Sequence, residues 1–176
     1  MIRLLQPRLS ISSVFDLDLD DLKDDGYQGL IMDLDNTLVG WNRPEVPKSL
    51  TLWLREVRQH GIEMCIVSNN LSQRVEEFSE KIGVSFIAKA AKPRRRAFRQ
   101  AMRAMGTHAH NTAVIGDQVF TDILGGNRLQ LYTILVHPVT TELGPDKRLS
   151  QRSQLRKRLP CNRHFQYAAW RRLSKP

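Results

Sequence analysis

The chain has 176 residues, 27 Lys+Arg against 18 Asp+Glu, a formal charge of +9 and a pI near 10.1. One domain of this length hides roughly 70% of the surface its unfolded chain exposes, so it needs no disulfide support. Cys65 and Cys161 show no paired spacing, and no apolar run approaches the ~20 residues of a membrane span, so a secreted disulfide scaffold, a zinc module and an integral membrane protein are excluded.

The charge is uneven. Residues 147–176 hold ten basic residues and no acidic one, while residues 1–146 hold 17 basic and 18 acidic, so the excess sits in a C-terminal tail. The expected organisation is a domain over 1–146, with 1–28 as its lead-in, followed by the tail. The lead-in, beginning MIRLLQPRLS, has no uninterrupted signal-like apolar stretch, and a reducing, cytoplasmic setting is expected. Asp16, Asp18 and Asp20 imitate the start of a calcium loop. Asp21 at its sixth position and Tyr27 at its twelfth break that pattern, and the acids suit the solvent face of a short helix.

Five continuous apolar runs follow: 29–33 (GLIMD), 62–67 (IEMCIV), 84–88 (VSFIA), 112–116 (TAVIG) and 131–136 (LYTILV). Unbroken runs suit strands buried on both faces. Between them lie helical patterns over 47–60, 72–82, 93–105 and 120–129. Pro47 and Pro93 suit first helical turns, and Gly61, Gly83 and Gly106 suit C-terminal caps. Phe98, Ala101, Met102 and Met105 follow an i, i+3, i+4, i+7 stripe that should face the sheet. Repeated βα units predict an α/β fold, a three-layer Rossmann-like parallel sheet.

Ligands in such sheets bind beyond the carboxyl ends of the strands. Asp33-Leu34-Asp35-Asn36-Thr37, Ser68-Asn69-Asn70, Lys89 with Lys92, and Gly116-Asp117 stand at four of the five ends. Asp33 and Asp35 can share one small volume, and with Asp117 they form an oxygen-only set suited to Mg²⁺. Ser68, a lysine and the backbone N–H groups near Asn36 and Thr37 can meet phosphoryl oxygens, which suits phosphoryl transfer.

DLDNT at 33–37, Ser68 ending the second strand, Lys92 followed by Pro93, and GDQVFTD at 116–122 resemble the four ordered motifs of the haloacid dehalogenase-like (HAD) phosphatases. The resemblance implies Asp33 as a nucleophile that forms an aspartyl-phosphate and Asp35 as general acid and base. It implies that Thr37 steadies the loop, that Thr37, Ser68, Asn69 and Lys92 bind phosphate, and that Asp33, the Asp35 carbonyl, Asp117 and Asp122 hold Mg²⁺. Lys89 competes with Lys92, which Pro93 favours, and Asp122 can also be read as a first-turn acid drawn by the helix dipole. The five histidines show no ligand spacing, and His137-Pro138 reads as surface loop.

From Asp35 to Ser68 is 33 residues and from Ser68 to Lys92 is 24, each enough for one helix and one strand. No cap domain fits, which resembles the capless subfamily IIIA branch and its bulky substrates. The opening segment and LDNTLVGW are similar to the phosphatidylglycerophosphate phosphatases and their bacterial relatives. The implied substrate is a phosphorylated phospholipid. Lys89, Lys92, Arg94, Arg95, Arg96, Arg99 and Arg103 add seven positive charges without an acid. Arg95, Arg99 and Arg103 suit a solvated helix face, while Arg94 to Arg96 stand where an anionic substrate would enter. The tail interleaves Leu155, Leu159, Phe165, Trp170 and Leu173 with basic residues, a composition able to lie on an anionic membrane. Phosphoprotein or nucleic-acid ends are the competing substrates, and an RNA- or ribosome-associated binding module with an idle site is the non-enzymatic alternative.

Overall fold

The computed structural model describes residues 2–139 apart from 42, 44 and 71. The expectations for the tail lie outside the described residues. Six parallel strands form one sheet in the order β1-β6-β5-β2-β3-β4. They are β1 Leu9–Ile11, β2 Gly29–Met32, β3 Glu63–Val67, β4 Ser85–Ile87, β5 Thr112–Gly116 and β6 Tyr132–Val136. The five expected strands are present, shortened by one residue or more except over Thr112–Gly116. The lead-in adds β1, which pairs with β6 through Leu9 and Ile134. Central β2 and β5 are buried at every position, whereas edge strands β1 and β4 have none fully buried, so the continuous apolar runs mark the middle of the sheet.

Helices α1 (Leu19–Asp24), α2 (Lys48–Gln59) and α3 (Ser72–Ile82) cover one face, packing Leu22, Trp53 and Phe78 against Leu30, Met32, Met64 and Ile66. On the other face α4 (Arg95–Met105) lays Phe98, Ala101, Met102 and Met105 on Ile31, Cys65, Val67 and Val114. Alternate strand residues therefore serve opposite cores, as the two-residue strand period requires. Exposed Arg95, Arg99 and Arg103 form the outer face of α4. At its end Gly106 takes φ +67, a left-handed cap disfavoured for other residues. Asp16, Asp18 and Asp20 are exposed, and Asp18 caps α1 by accepting from the Asp21 N–H at 3.0 Å.

Three helical starts differ from the sequence reading. Pro47 is the N-cap of α2 rather than its first helical residue. Pro93 precedes the α4 N-cap, Arg94, and follows a cis Lys92–Pro93 bond, so it lies outside the helix. The expected helix over 120–129 is a π-helical turn, Val119–Ile123, followed by a short α5, Leu124–Asn127.

Chain order places the crevice. From β2 the chain builds outward through β3 and β4, then returns to the opposite flank of β2 with β5 and continues to β6. The carboxyl ends of β2 and β5 flank the point where strand order reverses, and Asp33 and Asp117 directly follow those strands.

Candidate active site

Asp33 follows β2 and Lys92 follows β4 on one flank of this crevice, Asp122 follows β5 on the other, and the three meet in the interior. Lys92 Nζ donates to Asp33 Oδ1 at 2.5 Å and to Asp122 Oδ1 at 2.7 Å, with all three side chains at least 91% buried. Burial opposes the ammonium, but Asp122 and Asp33 outweigh it and hold the Lys92 pKa above its ordinary value. Lys89 is exposed, so the lysine of the site is Lys92. Asp122 is not a solvent-facing first-turn acid. Its carboxylate accepts from Lys92 and, at 3.3 Å, from the Gln118 N–H. Burial pushes its pKa up to about 6 despite the lysine. The carboxylate lies over Gly116, where a Cβ would come within 2.3 Å of Asp122 Cγ, so the close approach requires glycine.

Thr37 is buried between two acids. Its hydroxyl lies 3.0 Å from Asp33 Oδ2, 3.3 Å from Asp117 Oδ1, and accepts from the Asp117 N–H at 3.1 Å. The hydroxyl expected on phosphate bridges the β2 and β5 loops. The Asn36 N–H, expected to face phosphate, instead donates to the Val39 carbonyl at 2.7 Å in the tight turn of this loop. Asn69, also expected on phosphate, uses both ends of its amide on Lys92: Oδ1 accepts from the Lys92 N–H at 2.7 Å and Nδ2 donates to its carbonyl at 3.3 Å. It orients the backbone that carries the lysine. Buried Ser68 lines the cleft, and its hydroxyl accepts from the Asn70 N–H.

Asp33, Asp117 and Asp122 each present a carboxylate oxygen within 4.8 Å of the others. Burial first, then repulsion from Asp33, raises the Asp117 pKa. With all three ionised, Lys92 offsets one charge and leaves −2 in a buried space, which an oxygen-binding divalent cation would neutralise. The donor set fits such an ion. The Asp35 carboxylate is not in this group. Oδ2 accepts from Asn70 Nδ2 at 3.0 Å and Oδ1 pairs with Arg74 Nη2 at 2.7 Å. Its expected contribution to the metal is its carbonyl, not this carboxylate.

The cleft above these groups has a volume of about 220 Å³ and is walled by Asp33, Asp35, Trp41, Ser68, Lys92 and Gln118 among others. Among the described residues, the segments joining β2 to β3 and β3 to β4 hold one helix each and no cap domain.

Residues 89–150 match the HAD-hydrolase-like family model. A Bacillus subtilis protein named probable phosphatase YqeG is 46% identical over 134 residues, which is 76% of this chain and 78% of that one. The chain belongs to the HAD-like phosphatases. An Arabidopsis thaliana protein named phosphatidylglycerophosphate phosphatase 1, chloroplastic/mitochondrial, is 25% identical over 149 residues. The match takes in 76% of this chain and 41% of that relative's length. The cobalt-bound deoxy-D-mannose-octulosonate 8-phosphate phosphatase of Haemophilus influenzae shares the fold at a TM-score of 0.54 and 19% identity, over 65% of this chain and 70% of that one.

Arg74, which pairs with Asp35, is not singled out by sequence reasoning, and Asn70 is named there only within the Ser68-Asn69-Asn70 run, without a role. A signal exists for Arg74. It stands in the first turn of α3, where the helix dipole disfavours a cation, so its position needs a partner such as Asp35.

Proposed function

We propose that the protein is a Mg²⁺-dependent phosphomonoesterase that acts through an aspartyl-phosphate on Asp33, and that it converts phosphatidylglycerophosphate to phosphatidylglycerol. The observation that carries the reaction class is the group of buried Asp33, Asp122 and Lys92 with half-buried Asp117, net −2 when the acids are ionised, at the floor of a capless cleft. The Arabidopsis relative's name and the missing cap support the lipid substrate.

Asp33, Asp117, Asp122 and the Asp35 carbonyl would hold the ion, which supplies positive charge against the phosphoryl oxygens. An Asp33 oxygen attacks phosphorus, and the leaving glycerol oxygen takes a proton from Asp35. A water that gives its proton to Asp35 then cleaves the acyl phosphate. Lys92 meets the phosphoryl charge, Ser68 offers its hydroxyl, and Asn69 keeps Lys92 in place. Arg74 and Asn70 hold the Asp35 carboxylate against the cleft wall.

Among the described residues no helix is long and apolar enough to cross a membrane. The proposed setting is cytoplasmic, with the basic tail of 147–176 giving peripheral contact with anionic lipid. The test is phosphate release from phosphatidylglycerophosphate with Mg²⁺, beside a phosphopeptide and a 5′-phosphorylated oligonucleotide. Release from the lipid above both supports the substrate. Faster release from either competitor rejects it.

A further inference from the structure

Four large hydrophobic side chains are exposed among the described residues: Leu4, Trp41, Leu52 and Phe120. One of the two aromatic ones lines the cleft, and the other adjoins a lining residue in sequence. Trp41 lines it and is 65% exposed. Phe120 is 69% exposed and lies between Gln118 and Thr121, both of which line it. Their backbones are held by the site itself. The Trp41 N–H donates to Asn36 Oδ1 at 3.1 Å, and the Asp122 N–H donates to the Gln118 carbonyl at 3.0 Å, closing the turn that carries Phe120. That π-helical turn accommodates one more residue than an α-turn while Asp122 reaches inward to Lys92.

Exposed Arg94, Arg95 and Arg96 begin immediately beyond the Lys92–Pro93 bond. Arg94 is two residues from the cleft lysine, so its Cα is within about 7 Å of that of Lys92. Arg128 Nη1 donates to the Pro93 carbonyl at 3.2 Å, adding a fourth cation to this side of the opening. An exposed Trp and Phe beside a cationic turn match the boundary of an anionic bilayer, where ring bodies enter the headgroup region and guanidinium groups meet phosphates.

We propose that the rim of the cleft is a membrane-contact surface. Trp41 and Phe120 enter the headgroup layer of an anionic phospholipid bilayer and Arg94 to Arg96 engage its phosphates, so the cleft opens onto the lipid surface. This inference rests on the phospholipid reading and moves the principal contact from the tail to the mouth of the site. A phosphomonoester headgroup can then reach Asp33 while its acyl chains stay in the bilayer.

The experiment places an environment-sensitive NBD label at residue 120 in the full chain carrying Phe120→Cys and Cys161→Ser. Cys65 is buried, and its thiol, pushed up to about 12 by burial, does not compete for label. Vesicles contain phosphatidylglycerol in phosphatidylcholine, or phosphatidylcholine alone, and no phosphomonoester. The emission should shift to the blue and be quenched by brominated acyl chains with the anionic vesicles only. A label at exposed Glu63, at the amino end of β3, should not respond. A label in Trp41→Cys, with Phe120 and Cys161→Ser retained, should respond in the same way. Trp41→Ala with Phe120→Ala should weaken vesicle sedimentation about tenfold.

Unchanged emission at 41 and 120 while the protein sediments with vesicles would overturn the rim. So would failure to sediment, or a response to single-stranded RNA without one to vesicles. No step of this assay uses turnover. A rim that inserts in a protein that leaves phosphatidylglycerophosphate intact refutes the substrate and not the surface.

Discussion

Two acidic groups sit at the carboxyl edge of the same sheet, and they are balanced differently. Asp33, Asp117 and Asp122 share one ammonium, Lys92, and their combined charge is incomplete. Asp35, two residues beyond Asp33, pairs with the Arg74 guanidinium and accepts from the Asn70 amide. The first group needs a cation from outside the chain; the second does not. The group suited to a divalent cation and the Asp35 carboxylate are thus separate, although Asp33 and Asp35 stand in one five-residue motif.

The largest effect expected from breaking this comparison is at Lys92. Lys92→Ala leaves buried Asp33 and Asp122 without their cation, and the metal-free protein should lose about 3–5 kcal/mol in urea unfolding. Added Mg²⁺ should recover part of that loss. A change below 1 kcal/mol would show that the carboxylates are not held charged by the lysine.

Arg74 probes the second group. Arg74→Ala should lower kcat about 10–100-fold with KM little changed, Arg74→Lys should restore part of it, and the Mg²⁺-dependent rise in Tm should stay as in wild type. Unfolding free energy should fall by less than for Lys92→Ala, because the Arg74 side chain is 23% exposed against 3% for Lys92. Loss of the Mg²⁺ effect in Arg74→Ala would merge the two groups into one.

The smallest effect lies far from the cleft and serves as a baseline for a solvated pair. His60 donates from Nδ1 to the Glu56 carbonyl at 2.7 Å, and Nε2 lies 3.1 Å from Asp20 Oδ1. The Glu56 carbonyl first, opposed by burial and helped by Asp20, raises its pKa above 6.5. A raised histidine contributes stability that is fully present below the unfolded value near 6.5 and is lost as pH rises through the folded value. His60→Gln should therefore be less stable than wild type at pH 5.5, by at most about 1 kcal/mol, and the gap should close by pH 8. A gap that widens with pH would reverse the assignment.

Much of this arrangement was readable in the chain because each motif ends a strand whose apolar run is unbroken. Asp33, Ser68, Lys92 and Asp117 follow four such runs, and parallel βα units bring all four ends to one edge. What escaped depends on contacts between separate loops. The three-residue β1 has too short a pattern to separate from coil, and it is defined by pairing with β6. Asn69 has the composition of a phosphate ligand, and only the fold shows its amide committed to Lys92. The helical spacing after Gly116 was right in type and wrong in pitch, since Asp122 must turn inward over a glycine to reach Lys92. The exposed faces of Trp41 and Phe120 carry no periodic signal at all.

The most direct test of the account is phosphate release from a water-soluble aryl phosphate by the full chain and by Asp33→Asn, each with Mg²⁺ and with EDTA. Wild type should turn over with Mg²⁺ and stop with EDTA, and Asp33→Asn should lose at least about 10³-fold while keeping its fold by circular dichroism. Equal rates for a folded Asp33→Asn and wild type would contradict the assignment of Asp33 as nucleophile, and with it the mechanism proposed for this cleft.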